Sequence, residues 1–348
     1  MDARSPLVHG PVMDAAPQPT GELAGTNGLF SLVADELQAV EVHLRAAAGD
    51  GTGLLASVAT YGLASGGKRV RPALVLLSAT ACGGHPGRRC VRLAAAAEMM
   101  HAASLIHDDI VDQAATRRGM PSAMARWGSQ VSVLVGDFLY ARAVQTVLED
   151  SDLRVMRAFS EATVAMTEAE VLQLQVLHDV KLQEADYLRI ITGKTAALMS
   201  AACRAGALAA GATAVQVEAM AGYGLNLGIG FQLVDDALDY VAHEERLGKP
   251  VGSDFREGKI TYPIIHLMRM ASPDDRGRLE ALAGQAAMGN GSLTALRELV
   301  ERYAAVPATM RLVDEYLRRA CEQLSRLPDS PARRVLSRLA EFVRSRDR

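Results

Sequence analysis

An all-α fold is predicted by three features of the chain. Long segments with apolar residues at helical spacing alternate with short Gly- and Pro-containing punctuators. No stretch shows the apolar–polar alternation of a half-buried strand. Aromatic residues make up only 4% of the 348 residues, whereas strands favour aromatic and β-branched side chains. No short internal repeat and no linker divides residues 29–348, which read as one helical domain with its site inside the bundle.

Taken in order, Leu32 to Ala48 is predicted as the first helix, stopped by Gly49-Asp50-Gly51. A second helix runs to Leu63 and breaks at Gly66-Gly67. Pro72, suited to a first helical turn, opens a third that ends at Ala81 before a Gly- and Pro-rich turn. Cys90 to Asp112 is a long helix of small apolar residues, and Arg117 to Pro121 makes a turn. Helices follow over Met124–Trp127, Ser132–Glu149, Leu153–Leu177, Glu184–Ile191, Thr195–Ala209, Ala214–Tyr223 and Leu225–Glu245. A Gly- and Pro-containing loop spans Gly248 to Gly258. The remainder, from Thr261, reads as amphipathic helices split near Ser272-Pro273, Gly289-Asn290-Gly291 and Pro328.

Composition narrows the function classes. A net charge of -3 gives no support to general polyanion binding, and scarce aromatics argue against nucleic-acid stacking platforms. Four cysteines without a CxxC pair read as reduced thiols of a cytoplasmic protein. Residues 1–28, rich in Pro, Gly, Ala and Asp, lack a signal-peptide layout and read as a disordered tail. The longest apolar region, Ala205 to Val234, carries Glu218 and reads as a packed helix pair joined near Gly222–Gly224, not a transmembrane segment. Peripheral membrane contact remains compatible with the basic run from Arg333-Arg334 onward.

Two acidic clusters carry the chemistry. Asp108-Asp109-Ile110-Val111-Asp112 and Asp235-Asp236-Ala237-Leu238-Asp239 are both DDxxD. On a helix, positions i and i+4 share a face, which stacks Asp108 with Asp112 and Asp235 with Asp239. Like charges at that spacing cost a helix about 0.2–0.5 kcal/mol per pair. A cation between the carboxylates offsets that cost, and hard oxygen ligands without nearby Cys or His pairs favour Mg²⁺. Because Mg²⁺ takes one or two carboxylates and fills its shell with water and phosphate oxygens, two clusters point to a bound diphosphate. The alternating ligands of an EF-hand are missing.

Basic groups complement the clusters. Gly66-Gly67-Lys68-Arg69-Val70-Arg71-Pro72 sets three cations beside a Gly pair before a helix, an arrangement suited to a diphosphate, although it is not a Walker A loop. Arg117-Arg118-Gly119 follows the first cluster. His101 and Ser104 share the face that carries Asp108 and Asp112. Lys194-Thr195 follows Gly193, and Gln232 lies one turn before Asp235-Asp236. Lys249 and Lys259 flank the Gly248–Gly258 loop, which is placed to close over phosphate.

The ordered set GGKRVRP, EMMHAASLIHDDIVDQAATRRGMPS, VLVGDFLYARA, EAEVLQLQ, GKTAALMSAACRAGALAAG and GFQLVDDALDYVAHEERLGKPVGSDFREGKITYPI resembles the trans-isoprenyl diphosphate synthases, or polyprenyl synthetases. The resemblance is greatest to the long-chain enzymes that make octaprenyl diphosphate. It implies an isoprenoid-synthase helical bundle with a central active-site cavity, a homodimer, and condensation of isopentenyl diphosphate with an allylic diphosphate. It also implies three Mg²⁺ held by Asp108, Asp112 and Asp235, with Asp239 completing the acidic set. Lys68, Arg71, His101 and Arg118 then hold isopentenyl diphosphate. Arg117, Lys194, Lys249 and Lys259 hold the allylic diphosphate, and Thr195 and Gln232 face its reacting carbon. Two segments depart from the family pattern: Gln113 to Thr116 replaces an acidic spacer, and Thr167 to Glu170 replaces a segment where glycine is common.

In short-chain members, aromatic residues about one turn before the first aspartate block the growing chain. Here Ala103 and Ser104 occupy those positions, which implies a long product. Met99, Met100, Phe138 and Tyr140 are candidates for lining the tunnel. Competing readings are a farnesyl- or geranylgeranyl-length synthase, a terpene cyclase, and a regulatory partner subunit. The GGKRVRP segment and the intact second DDxxD favour condensation over cyclisation and over a non-catalytic role.

Overall fold

The computed structural model describes residues 28–49, 52–64, 67–241, 252–284 and 290–345. A short 3₁₀ turn leads into α1 (Ala34–Ala48), followed by α2 (Gly53–Ala64), α3 (Val70–Ala81) and α4 (Arg88–Val111). A two-stranded hairpin (Thr116–Arg117 with Met120–Pro121) then precedes α5 (Ala123–Trp127), α6 (Ser129–Leu148), α7 (Leu153–Gln175) and α8 (Glu184–Ile191). A π-helical turn, Thr192–Ala196, joins α8 to α9 (Ala197–Ala209), and α10 (Ala214–Val241) follows. The remainder comprises α11 (Ser253–Arg256), α12 (Tyr262–Met270), α13 (Pro273–Ala283), α14 (Asn290–Arg302), α15 (Ala305–Leu324) and α16 (Pro331–Arg344).

The predicted all-α class is what the chain adopts. Side-chain caps mark several helix starts where the sequence placed its punctuators. Ser122, Asp152, Ser272 and Ser330 each accept a backbone N–H of the first turn, and Pro273 and Pro331 stand just inside their helices. Helix α9 packs against α3, α4, α7 and α10, so the two helices that carry the DDxxD motifs, α4 and α10, flank a common neighbour. The core fills with Leu74 and Leu77 of α3, Met99 of α4, Phe159 of α7, Leu198 of α9 and Tyr223 of α10. The Tyr223 hydroxyl donates to the Leu336 carbonyl at 2.7 Å and ties α10 to α16. Among the described helices, α6 has the length and apolar composition to cross a membrane, and it packs along α4.

Several boundaries differ from the sequence reading. The apolar Ala205–Val234 region is a helix pair, but the joint lies at Ala210 to Thr213, and α10 runs unbroken through Gly222 and Gly224. Those glycines serve packing instead: a Cβ on Gly224 would stand 2.5 Å from the Met199 carbonyl oxygen of α9. The turn at Arg117–Pro121 closes a short hairpin, an element the absence of strand patterning did not predict. A further break at Tyr303-Ala304, with Ala304 left-handed at φ 48°, divides α14 from α15; Pro307, in the first turn of α15, is the sequence signal that the reading did not use. Most of the 1–28 tail and the Gly248–Val251 part of the predicted loop lie outside the described residues.

The two readings of Gly224 differ in sign. As a packing glycine, Gly224→Ala overpacks the α9–α10 contact and lowers the unfolding free energy by about 1–3 kcal/mol. Gly222→Ala, whose Cβ would meet only the Gln323 side chain at 3.2 Å, changes it far less. Denaturant melts check both; a stabilised Gly224→Ala variant is the outcome expected of a merely loosened helix.

Candidate active site

The C-terminal end of α4 presents the first cluster. Asp112 closes the helix, its N–H donating to the Asp108 carbonyl at 2.8 Å, so the two carboxylates stand one turn apart as the spacing predicts. Burial, reinforced by Glu170 and Asp112, pushes Asp108 up to about 6 against the opposing charges of Lys194 and Arg117. Asp109 is buried instead and accepts from Arg117, with Nε at 2.8 Å and Nη2 at 2.7 Å from Oδ1.

The second cluster divides its labour differently. Asp236 is buried, accepting the Tyr187 hydroxyl at 2.6 Å and the Gln232 amide at 2.8 Å, and burial pushes it up to about 7. Asp239 accepts the Ser253 N–H and hydroxyl on Oδ1 and the Asp254 N–H on Oδ2, with the hydroxyl at 2.8 Å. It therefore caps α11, and both of its oxygens are engaged in holding the loop. Asp235 is half-buried, and its charge reaches Arg71.

Two basic segments meet on the other side. Arg69 is left-handed at φ 50°, a strained state for a non-glycine residue that its surroundings over-determine. Its guanidinium donates to Glu41 at 2.5 Å, to Glu98 at 2.7 Å and to the Leu63 carbonyl at 3.0 Å. This fixes the entry to α3 and hence Arg71. The Arg71 guanidinium is buried with Nε lacking a hydrogen-bond partner, and burial lowers it to about 10. The hairpin turns through Arg118 and Gly119, both at positive φ (52° and 76°), as a type I′ turn requires. Arg118 lies against Gly67, where a Cβ would stand 2.6 Å from Nη2, so that glycine makes room for the guanidinium. Tyr61 of α2 pins the hairpin by donating to the Pro121 carbonyl at 2.6 Å, and its ring meets Trp127 edge-on at 4.9 Å. Lys68 lies over the Phe342 ring of α16, 5.3 Å from its centroid. His101 stands amid this charge: burial first, then Arg71, Arg118, Arg117 and Arg69, hold its imidazole well below 6.5. It remains neutral at physiological pH.

The π-helical turn places Lys194 and Thr195. Gly193 allows it to approach α7, since a Cβ there would lie 2.5 Å from the Ala165 carbonyl oxygen. Lys194 pairs with Glu170 of α7 at 2.6 Å, and Thr195 donates to the Gln232 carbonyl oxygen at 2.8 Å. Lys259 reaches across to Asp112 at 2.9 Å and also pairs with Glu257 at 2.8 Å. These carboxylates raise its ammonium above the usual range against the burial that opposes them. Lys249 lies outside the described residues. A cavity of about 130 Å³ is walled by Lys194, Gln232, Asp236, Asp254, Lys259 and apolar residues such as Ile190 and Val176. Ala103 is buried on α4 beside Met99 and Met100, and Ser104 Oγ donates to the His101 carbonyl at 2.9 Å. Phe138 and Tyr140 are half-buried on α6, which packs along α4. None of these α4 and α6 residues forms a wall of the cavity at Lys194.

The structure also brings in residues that spacing does not single out: Glu41 and Glu98 around Arg69, Glu170 at Lys194, Tyr187 at Asp236, and Asp254 in the cavity wall. Among the described residues, no three carboxylate, imidazole or thiolate side chains converge on one point. The donor set is one of hard carboxylates on two separate helices, beside a partnerless guanidinium N–H and several ammonium groups. This fits a cation that takes one or two protein oxygens and shares a diphosphate with its neighbours.

Comparison with known proteins gives a consistent answer. Residues 52–300 match the polyprenyl synthetase family. The chain is 39% identical over 297 residues to octaprenyl diphosphate synthase of Escherichia coli strain K12, covering 85% of this chain and 91% of that protein. It is 38% identical over 290 residues to a short chain isoprenyl diphosphate synthase of Methanothermobacter thermautotrophicus, covering 82% and 88%. Among solved structures, a polyprenyl synthase from Caulobacter crescentus CB15, complexed with calcium and isoprenyl diphosphate, superposes with a TM-score of 0.88 at 37% identity, covering 95% of this chain and all of that one.

The depressed His101 makes stability pH-dependent in a defined direction. Below 6.5 the unfolded chain takes up a proton there while the native state does not. That contribution to stability is lost as pH falls, by at most about 1.4 kcal/mol per pH unit. Urea melts at neutral pH and at about pH 5 are expected to show a smaller acid loss in His101→Gln than in the parent protein.

Proposed function

The chain belongs to the polyprenyl synthetase family and is a prenyltransferase, and on that footing we propose that it makes a long-chain all-trans polyprenyl diphosphate. It does so by adding isopentenyl diphosphate repeatedly, head to tail, to an allylic diphosphate. The observation that carries this reading is the contact of Lys259 with Asp112 at 2.9 Å. A lysine that follows the second DDxxD touches the last aspartate of the first, so both motifs serve one site.

In this reading Lys68, Arg71, His101 and Arg118 hold the diphosphate of isopentenyl diphosphate, Arg71 through its buried, partnerless N–H. His101 can offer a ring N–H to the same diphosphate. Arg117, Lys194 and Lys259, joined by Lys249, hold the allylic diphosphate and stabilise charge that develops as its carbon–oxygen bond breaks. Asp108, Asp112 and Asp235 are the carboxylates placed to hold Mg²⁺, and Asp239 anchors the loop beside them. When bound, Mg²⁺, three ions in this reading, neutralises diphosphate oxygens and makes pyrophosphate a better leaving group. The oxygens of Thr195 and Gln232 face the allylic carbon as dipoles, which stabilises positive charge without offering a nucleophile that would trap it. The anchored isopentenyl double bond then takes the place of water. The proton lost at the end goes to the departing pyrophosphate, so no protein base is needed.

Small side chains at Ala103 and Ser104 support the long product, and the similar identity to a short-chain relative keeps a shorter product as the second reading. The retained carboxylates weigh against a regulatory subunit. Leu134 and Leu148 on α6 and Val164 and Val171 on α7 are exposed, and a second copy would cover such apolar side chains in the homodimer of this reading. A cytoplasmic location belongs to the same proposal.

Incubation with Mg²⁺, isopentenyl diphosphate and separate C5, C10, C15 and C20 allylic primers is expected to give elongated products whose length chromatography resolves. Absence of Mg²⁺-dependent elongation from every primer would overturn the assignment. Ala103→Phe is expected to shorten the main product by at least one isoprene unit; an unchanged length would remove the tunnel from beside Ala103.

A further inference from the structure

We propose that Tyr187 is a positioning residue that, through Asp236, fixes the direction in which Gln232 and Thr195 present their dipoles to the reacting allylic group. The inference rests on the condensation reading above and adds a residue that reading does not contain.

Four side chains form one line, in which Gln232 is half-buried at the cavity wall and the other three are buried. The Tyr187 hydroxyl donates to Asp236 Oδ2 at 2.6 Å, Gln232 Nε2 donates to Asp236 Oδ1 at 2.8 Å, and Thr195 Oγ1 donates to Gln232 Oε1 at 2.8 Å. Tyr187, Asp236 and Thr195 are each buried, at 2%, 3% and 7% exposure, so water does not compete freely for these bonds. Each link sets the next. Asp236 accepts on both of its oxygens in this line, so Gln232 turns its NH₂ toward Asp236 and its carbonyl oxygen toward Thr195. Thr195 must then spend its only hydroxyl proton on that carbonyl, which leaves its oxygen as an acceptor toward anything else that approaches.

That orientation suits a neighbour that becomes positive. With the amide reversed, Nε2–H₂ would face Thr195, and the positive ends of two dipoles would be free to point at the reacting carbon. Gln232 and Asp236 are i and i+4 on α10, which sets their distance but not the sense of the amide. Tyr187 supplies the missing constraint. Its phenol donates to Oδ2, which ties down the second carboxylate oxygen and leaves Oδ1 for the Gln232 amide. Tyr187 also sits in the middle of α8, the helix that runs on into the π-helical turn carrying Thr195, so one segment contributes both ends of the line.

The test is a double-mutant cycle on the full-length protein in steady-state condensation. Tyr187→Phe is expected to lower kcat about tenfold while the KM for each substrate stays within about twofold. In a Thr195→Val background the same change is expected to cost less than about twofold more, because its route to the substrate is already cut. Asp236→Asn, whose amide has one accepting atom and so cannot take both the Tyr187 and the Gln232 hydrogen bonds on separate oxygens, is expected to lower kcat at least as far, again without additivity to Thr195→Val. Full additivity, a loss confined to KM, or an unchanged kcat in Tyr187→Phe overturns the positioning role while condensation by the parent protein stands. If Tyr187→Phe fails to fold, the Asp236→Asn cycle decides by the same criteria. A parent protein that elongates no primer overturns the functional reading, and this proposal with it.

Discussion

Every buried carboxylate in the site has to be met by a donor from another element, and the architecture around the cavity follows from that demand. Leaving an ionised carboxylate buried without a partner costs several kcal/mol. Asp109 is met by Arg117 from the hairpin, Asp236 by Tyr187 from α8 and Asp239 by the start of α11, and the more exposed Asp112 is met likewise by Lys259 from beyond α11. The acidic motifs thus recruit most of the segments that wall the cavity. Arg69 applies the same rule in reverse, since Glu41 and Glu98 converge on one guanidinium and hold the strained entry to α3.

Close backbone approach is the second requirement. Helix α9 touches four other helices, and the stretch from Leu198 to Leu208 on it is dominated by Ala, Gly and Cys. Small residues at the crossings let α4 and α10 carry their carboxylates toward a shared space without bulky side chains intervening. The scarcity of aromatics in the sequence is therefore a packing property of the middle of the bundle as much as a mark of its fold class.

The helices, both DDxxD faces and the basic segments were legible in the sequence because helical spacing alone fixes which positions share a face. What spacing does not encode is partnership across elements. Glu170 looked like a local departure from a glycine-rich pattern until the fold set it against Lys194. Tyr187 had no signal beyond an ordinary apolar position in an amphipathic helix. Asp239, read as the member that completes the metal-holding acidic set, is committed to the α11 cap because α11 begins beneath it. Gly222 and Gly224 read as a joint because glycine both breaks helices and admits close neighbours, and only the position of Met199 decides which. The break at Ala304 has its signal in Pro307, within the first turn of α15, and the π-helical turn has its own in Gly193, whose meaning only the close approach of α7 reveals.

The hairpin that presents Arg117 and Arg118 has an unplanned optical reporter. Trp127 is the only tryptophan in the chain, and it rests against Tyr61, whose hydroxyl holds the Pro121 carbonyl of the hairpin. Arg126 stacks over the same indole at 4.7 Å. Any displacement of the hairpin when an anion engages its arginines alters the surroundings of that one fluorophore. Its ultraviolet emission therefore follows this corner of the site without labelling and without a competing indole signal from elsewhere in the chain.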